Sequence, residues 1–208
     1  MKKCAIIPAF IEGNLQELLP DPQNYFVICA DNGYAKAEAA GIRPDLIIGD
    51  FDSYSGTLPD DIPVLKLPVE KDDTDTGRSL LYAMEQGYRD ITIAGGIGGR
   101  FDHTMANIQN IFGAVDKGVS VRLISEGNEI TAVKNGTITI PKHPGHKLSI
   151  FALSETAEGV SLSGVYYTLN DYTLTSRYPL GVSNEFLDEN AVITVRRGTL
   201  LIVISRDR

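Results

Sequence analysis

Residues 45–75 hold nine carboxylates: Asp45, Asp50, Asp52, Asp60, Asp61, Glu70, Asp72, Asp73 and Asp75, opposed only by Lys66 and Lys71. In GDFDS at 49–53, Asp50 and Asp52 stand two apart just after the apolar run Leu46-Ile47-Ile48. In an extended segment such residues project to one side. Two unit negative charges about 5 Å apart repel by about 1 kcal/mol in water and by about 3 kcal/mol at an effective dielectric near 20. Such a pair either stays wet or is neutralised by a cation. Oxygen-only donors suit Mg²⁺, which often takes one or two carboxylates and completes its shell with substrate phosphates.

A second cluster, Lys71-Asp72-Asp73-Thr74-Asp75-Thr76, follows the run PVLKL and opens a helical stretch. Asp72 or Asp73 is a candidate helix N-cap, favoured by the unpaired amides and the helix dipole. A cap explains one carboxylate and leaves the others. Asp72 and Asp75, three apart, share a helical face. The third segment, Gly95-Gly96-Ile97-Gly98-Gly99-Arg100-Phe101-Asp102-His103, lies between the run ITIA and another helical stretch. Glycines at a strand–helix junction admit an anion close to the backbone, and the helix start offers N–H groups. Arg100 is a candidate phosphate fork. The alternative is a turn with Asp102 as a structural cap. The spacing matches neither GxxxxGK[ST] nor GxGxxG.

Before residue 120, the runs CAIIPAF, YFVICA, DLIIGD, PVLKL, DITIAG and VRLIS read as strands, and 33–41, 74–87 and 103–117 as helices. In the last, Met105, Ile108, Ile111, Phe112 and Val115 form one apolar face. Strands this continuously apolar predict a mostly parallel sheet covered on both faces by helices. Its strand carboxyl ends are where ligands bind. After residue 125, EITAV, GTITI, KLSIFAL, VYYTL, AVITV and TLLIVIS are short and β-branched. Asn135-Gly136 predicts a hairpin, and Arg197-Gly198 a second. The expected fold is thus α/β over 1–125, followed by an all-β sandwich or small barrel over 126–208. A β unit of that size is expected to lean on the first domain or on another subunit.

The whole chain of 208 residues is 43% apolar and 22% charged, with net charge -8. Those values exclude extensive disorder and fibrous classes. They argue against broad attraction to nucleic acid or an anionic membrane. Cys4 and Cys29 read as buried free thiols on neighbouring strands, and no CxxC pair suggests zinc. The apolar stretch behind Met1-Lys2-Lys3 is broken at Pro8 and ends at Glu12, too short for a signal core, and no run reaches the length of a membrane span. The expected location is the cytoplasm. His143 and His146 read as surface histidines in a Pro/Gly turn, and Tyr166 and Tyr167 as β-domain core or interface.

The order ADNG at 30–33, PDLIIGDFDS at 44–53, KDDTDT at 71–76, GGRFDHTMANI at 98–108 and GVSNEF at 181–186 resembles the thiamine pyrophosphokinase family. The resemblance implies transfer of pyrophosphate from ATP to the hydroxyl of thiamine, giving thiamine diphosphate and AMP. It implies an α/β catalytic domain, a thiamine-binding β-sandwich and a homodimer with its site between subunits. By similarity Asp50, Asp52 and Asp75 hold Mg²⁺, with Asp72 as a further ligand or just behind them. Lys71, Thr74 and Arg100 serve the phosphates, and Asp31 the nucleotide side. Asp102 and His103 line the pocket, and Ser183 and Asn184 hydrogen-bond the thiamine pyrimidine. Asp75 or Asp52 is the candidate proton acceptor. The rivals are an Asp-nucleophile phosphatase, a nucleotide-sugar transferase using DxD, and a non-catalytic Mg²⁺-nucleotide sensor. The glycine-rich segment plays no part in the phosphatase mechanism, and four motifs on strand ends argue against the sensor.

Overall fold

A computed structural model describes residues 2–51, 56–68 and 73–207. The chain divides into two compact units, Met1–Glu126 and Gly127–Arg208. In the first, the apolar runs form strands β1 (Lys3–Ile7), β2 (Phe26–Ala30), β3 (Leu46–Gly49), β4 (Val64–Lys66), β5 (Asp90–Ala94) and β6 (Ser120–Ser125). They lie in the order β6-β5-β1-β2-β3-β4, and every pairing is parallel. The connections carry helices α1 (Leu15–Leu18), α2 (Gly33–Ala39), α3 (Asp75–Glu85) and α4 (Phe101–Asp116).

The pleat sorts the strand side chains between two faces. Ala5, Ile7, Val27, Cys29 and Ile47 pack with Tyr34 and Ala37 of α2. Ile6, Ile28 and Ile48 point the other way and are fully buried, where α3 packs across β1, β2 and β3. Cys4 and Cys29 are buried and free. Burial, with Asp45 adding to it, pushes the Cys4 thiol up to about 12; burial raises Cys29 as well. Neither is a nucleophile at neutral pH.

Helix α4 departs from the expected apolar face. Its buried positions are Thr104, Asn107, Ile111 and Ala114, whereas Met105 is 42% exposed. Two polar side chains displace the apolar stripe because they hold the preceding loop: Thr104 Oγ1 accepts from Gly98 N at 3.1 Å, and Asn107 Nδ2 donates to Gly96 O at 2.8 Å.

The second unit contains β7 (Asn128–Pro141), β8 (Lys147–Ala152), β9 (Thr156–Ser163), β10 (Leu169–Thr175), β11 (Gly181–Glu185) and β12 (Asn190–Ser205). All pairings within it are antiparallel. The long β7–β12 ribbon serves two sheets. Residues 192–197 of β12 pair with β9, which carries β10, and residues 200–205 pair with β8, which carries β11. Seventeen buried apolar residues, among them Leu148, Ile150, Val160, Ile193 and Ile202, fill the interior of this sandwich.

Neither expected hairpin forms. Asn135-Gly136 and Arg197-Gly198 instead lie opposite one another inside the ribbon, where the register shifts between Val195 and Thr199. Asn135 takes a left-handed φ of 46°, and its Oδ1 accepts from Gly198 N at 2.8 Å. The side chain thus ties the two strands across a bulge, which bends them without reversing the chain. The VYYTL segment is not a continuous strand. Val165 makes an isolated bridge to Phe186, while Tyr166 and Tyr167 are 61% and 67% exposed and lie outside the core. No helix among the described residues is long and apolar enough to cross a membrane.

Candidate active site

The strand order reverses around β1: the chain proceeds to β2 on one side and later to β5 on the other. Loops leaving such strands diverge and open a crevice at the carboxyl edge of the sheet. A cavity of about 780 Å³ lies there, within the usual range for a ligand pocket. Pro8, Ala9 and Phe10 line it after β1, and Ala30 and Asp31 after β2. Asp73, Thr74, Asp75 and Thr76 enter at the start of α3, and Gly96, Gly98, Arg100, His103 and Asn107 around the start of α4.

Close backbone packing joins the first two motifs. Asp31 N donates to Ile48 O at 2.7 Å. A Cβ on Gly49 would stand 2.9 Å from Asp31 Cα, so only glycine lets β3 deliver Asp50 beside Asp31. Asp31 is 8% exposed and left-handed, at φ 48°. Phe51 is left-handed as well, at φ 60°, a costly conformation for a bulky residue. Phe51 is therefore not in the extended conformation on which the pleat argument for Asp50 and Asp52 rests. Asp52, Lys71 and Asp72 lie outside the described residues.

At α3 the N-cap is Thr74, in place of the expected Asp72 or Asp73; its Oγ1 accepts from Gly77 N at 3.0 Å. Asp73 Oδ1 accepts from Thr74 N at 2.8 Å and occupies the space that a Cβ on Gly77 would need. Asp75 is the first helical residue and faces the cavity. Two other members of the acidic run are placed elsewhere: Asp45 Oδ2 accepts from Val27 N at 2.7 Å, and Asp61 pairs with Arg43 at 2.9 Å on the surface.

The glycine loop carries positive φ at Gly95, Gly96, Gly98 and Gly99, which glycine adopts without steric cost. Its position is set by Thr104 and Asn107 from α4. Arg100 occupies the N-cap position of α4 without a side-chain cap bond. Its guanidinium grips Asp102, with Nη2 at 2.6 Å from Oδ2. The bond from Arg100 is the main influence holding the Asp102 carboxyl below its usual range. Asp102 does not cap the helix: it lies in the first turn, accepts from His103 N at 3.0 Å and is not among the cavity-lining residues. An ion pair this exposed is weak, so Arg100 can exchange it for an incoming anion. Phe10, which sequence reasoning passed over as the end of a strand, forms part of the cavity wall.

In the second unit, Ser183 is exposed, adopts φ 60°, and donates its amide to Ser149 Oγ at 3.0 Å. Asn184 differs from expectation. It is 4% exposed; its Oδ1 accepts from Tyr167 N at 2.9 Å and Glu185 N at 3.0 Å, and its Nδ2 donates to Tyr167 O at 2.8 Å. The side chain clamps the Tyr166–Tyr167 segment and positions the exposed surface above it. Asn184→Ala leaves these main-chain groups unpartnered, and is expected to destabilise the protein by about 3 kcal/mol, read as a lower midpoint in urea unfolding.

The donor chemistry around the cavity fits a hard divalent cation. The acidic side chains lining it, Asp31, Asp73 and Asp75, offer carboxylate oxygen, and Asp50 follows β3 beside Asp31. Among the described residues no three His, Cys, Asp or Glu gather into a cage. Mg²⁺ does not require one, because phosphates and water complete its shell.

Fold and cavity together define a class: a two-domain protein in which a parallel α/β unit sets backbone amides and carboxylates around one crevice, followed by a β-sandwich. The family model "Thiamin pyrophosphokinase, catalytic domain" matches residues 15–123, and "Thiamin pyrophosphokinase, vitamin B1 binding domain" matches residues 135–200. Thiamine pyrophosphokinase of Bacillus subtilis (strain 168) is 31% identical, covering 95% of this chain and 97% of the relative. The crystal structure of thiamine pyrophosphokinase from Bacillus subtilis superposes with a TM-score of 0.87 at 28% identity over 100% of both chains. That from Geobacillus thermodenitrificans gives 0.85 at 26% identity, over 99% of this chain and 98% of the other. The chain belongs to the thiamin pyrophosphokinase family and is an enzyme of that family.

Proposed function

We propose that the protein transfers the pyrophosphoryl group of ATP to the hydroxyl of thiamine, with Mg²⁺, releasing AMP and thiamine diphosphate. The observation that carries this reading is the coincidence of the acidic, glycine-lined crevice with the segment matched by the family's catalytic domain. The match of its vitamin B1 binding domain to the sandwich supports thiamine as acceptor.

Asp50, Asp52, Asp72 and Asp75 would hold Mg²⁺, which when bound offsets charge on the phosphates. The remaining work is positioning and charge complementarity. The glycine-loop amides and the start of α4 receive phosphate oxygens, with Arg100 and Lys71 adding cationic donors. Thr74 Oγ1 accepts from Gly77 N and retains its own proton to donate. Asp31 serves the nucleotide side. Asp75 or Asp52 takes the proton from the thiamine hydroxyl. Asp102 keeps Arg100 extended until the phosphates arrive, and His103 borders the substrate. Ser183 contacts the thiamine ring, while Asn184 holds the surface around it. The working form is a cytoplasmic homodimer. The exposed Tyr166, Tyr167, Tyr178 and Leu187 are large apolar side chains that a second copy would cover.

Incubation with ATP, Mg²⁺ and thiamine, followed by phosphorus NMR, tests the reaction. AMP and thiamine diphosphate in equal amounts, absent with EDTA or without thiamine, are expected. ADP or inorganic phosphate as the main product contradicts it.

A further inference from the structure

We infer that the Phe10 ring is the platform on which the purine of the nucleotide stacks, an assignment that rests on ATP as co-substrate. Phe10 follows β1 at the point where the strand order reverses, and its carbonyl accepts from Gly96 N at 2.8 Å. Its ring lies against the next two glycines of the loop. A Cβ on Gly98 would come within 3.3 Å of Cε1, and one on Gly99 within 2.8 Å of Cε2. Bare glycines therefore make the bed for the ring, and its main chain is tied to the same loop. The ring is nonetheless 43% exposed and borders a cavity whose other side chains are largely polar.

A held, half-exposed aromatic ring beside a loop suited to phosphates offers apolar π surface at the edge of the crevice. Aromatic side chains stack on bases through that face and tolerate any base. Thiamine also carries flat rings, but the vitamin B1 binding domain matches residues 135–200, in the other unit. Only the thiamine hydroxyl has to reach the phosphates, whereas the nucleotide lies along the crevice, so Phe10 goes to the purine. Because a stack reads no base edge, loss of the ring should weaken ATP and GTP alike.

The test measures binding without turnover, titrating Mg²⁺-ATP, Mg²⁺-GTP and Mg²⁺-tripolyphosphate by calorimetry into wild type, Phe10→Leu and Phe10→Trp. Leucine keeps an apolar cover on the glycines and removes the π-face. The chain has no tryptophan, so Phe10→Trp adds a single indole reporter. In Phe10→Leu, affinity for both nucleotides is expected to fall about tenfold, within the range for a lost base stack, with tripolyphosphate unchanged. In Phe10→Trp, ATP binding persists and quenches the indole, whereas tripolyphosphate does not. Equal weakening toward ATP and tripolyphosphate overturns the assignment, because the ring then only shapes the loop. Weakened thiamine binding, titrated the same way, with ATP affinity intact also overturns it, moving the ring to the other substrate. A wild-type protein that binds no ATP sinks the co-substrate reading itself. One that binds ATP equally well in all three forms sinks only the role of Phe10.

Discussion

Asp75→Asn is expected to lower turnover by about a hundredfold or more, the scale on which removal of one preorganised electrostatic contact slows an enzyme. Asp75 begins α3 and faces the cavity, where the proposed reaction gathers phosphate charge and a cation. The amide keeps the size of the side chain and removes its charge. A carboxylate in a first helical turn typically contributes about 0.3–1 kcal/mol through the dipole, so the melting temperature should move by only a few degrees. Asp61→Asn is the matched comparison: Asp61 is an exposed partner of Arg43, and its replacement should leave turnover within about twofold, as for an ordinary surface change. Equal turnover in Asp75→Asn and wild type would remove Asp75 from the reacting centre.

Gly33→Ala should destabilise the protein, against the ordinary rule for helices. Alanine in place of glycine in a helix usually gains up to about 1 kcal/mol. At Gly33, the start of α2, the added Cβ would overlap the Ile7 carbonyl oxygen and lie 2.9 Å from the Ile7 carbonyl carbon and 3.1 Å from that of Pro8. All three atoms are main chain, so no side-chain rotation relieves the overlap. Overpacking of this kind costs about 1–3 kcal/mol, sometimes more. The clash wins, and a net loss of about 2 kcal/mol corresponds to a melting temperature lower by about 4–8 °C at this chain length. Activity should fall too, because Ile7 and Pro8 lead directly into the Phe10 wall. Gly113→Ala is the counterpart: Gly113 lies within α4 with nothing within 4 Å of an added Cβ, and should stabilise by about 0.5–1 kcal/mol. If both substitutions shift the melting temperature upward, the tight seating of α2 on β1 is wrong.

Gly33 and Gly113 are both helical glycines, and only the main chain packed against Gly33 sets them apart. Continuous apolar runs specify the parallel strands because both faces of the central sheet are buried, and CAIIPAF through VRLIS fall into strands accordingly, the edge strand β4 alone among them being exposed at each residue. Local chemistry also marks where Asp31, Thr74, Asp75, Arg100 and His103 enter, since strand ends and helix starts announce themselves. Long-range pairing does not. Asn135-Gly136 has the composition of a hairpin, yet opposite Gly198 it makes a bulge within an uninterrupted strand pair. Thr104 and Asn107 look like solvent positions until the glycine loop is folded over them, which turns α4 about its axis and leaves Met105 outside. Asn184 sits in a motif that suggests ligand contact, but its hydrogen bonds are taken by Tyr167 and Glu185. Phe10 was missed for the same reason: an aromatic at the end of a strand gains meaning only from the glycines it rests on.

In the proposed transfer two phosphates leave ATP as one unit. ATP labelled at the γ-phosphorus, incubated with the enzyme, Mg²⁺ and thiamine, distinguishes this from stepwise transfer. The label is expected in the terminal phosphate of thiamine diphosphate, one for each AMP released. Label in inorganic phosphate or in thiamine monophosphate, with ADP accumulating, rules the transfer out.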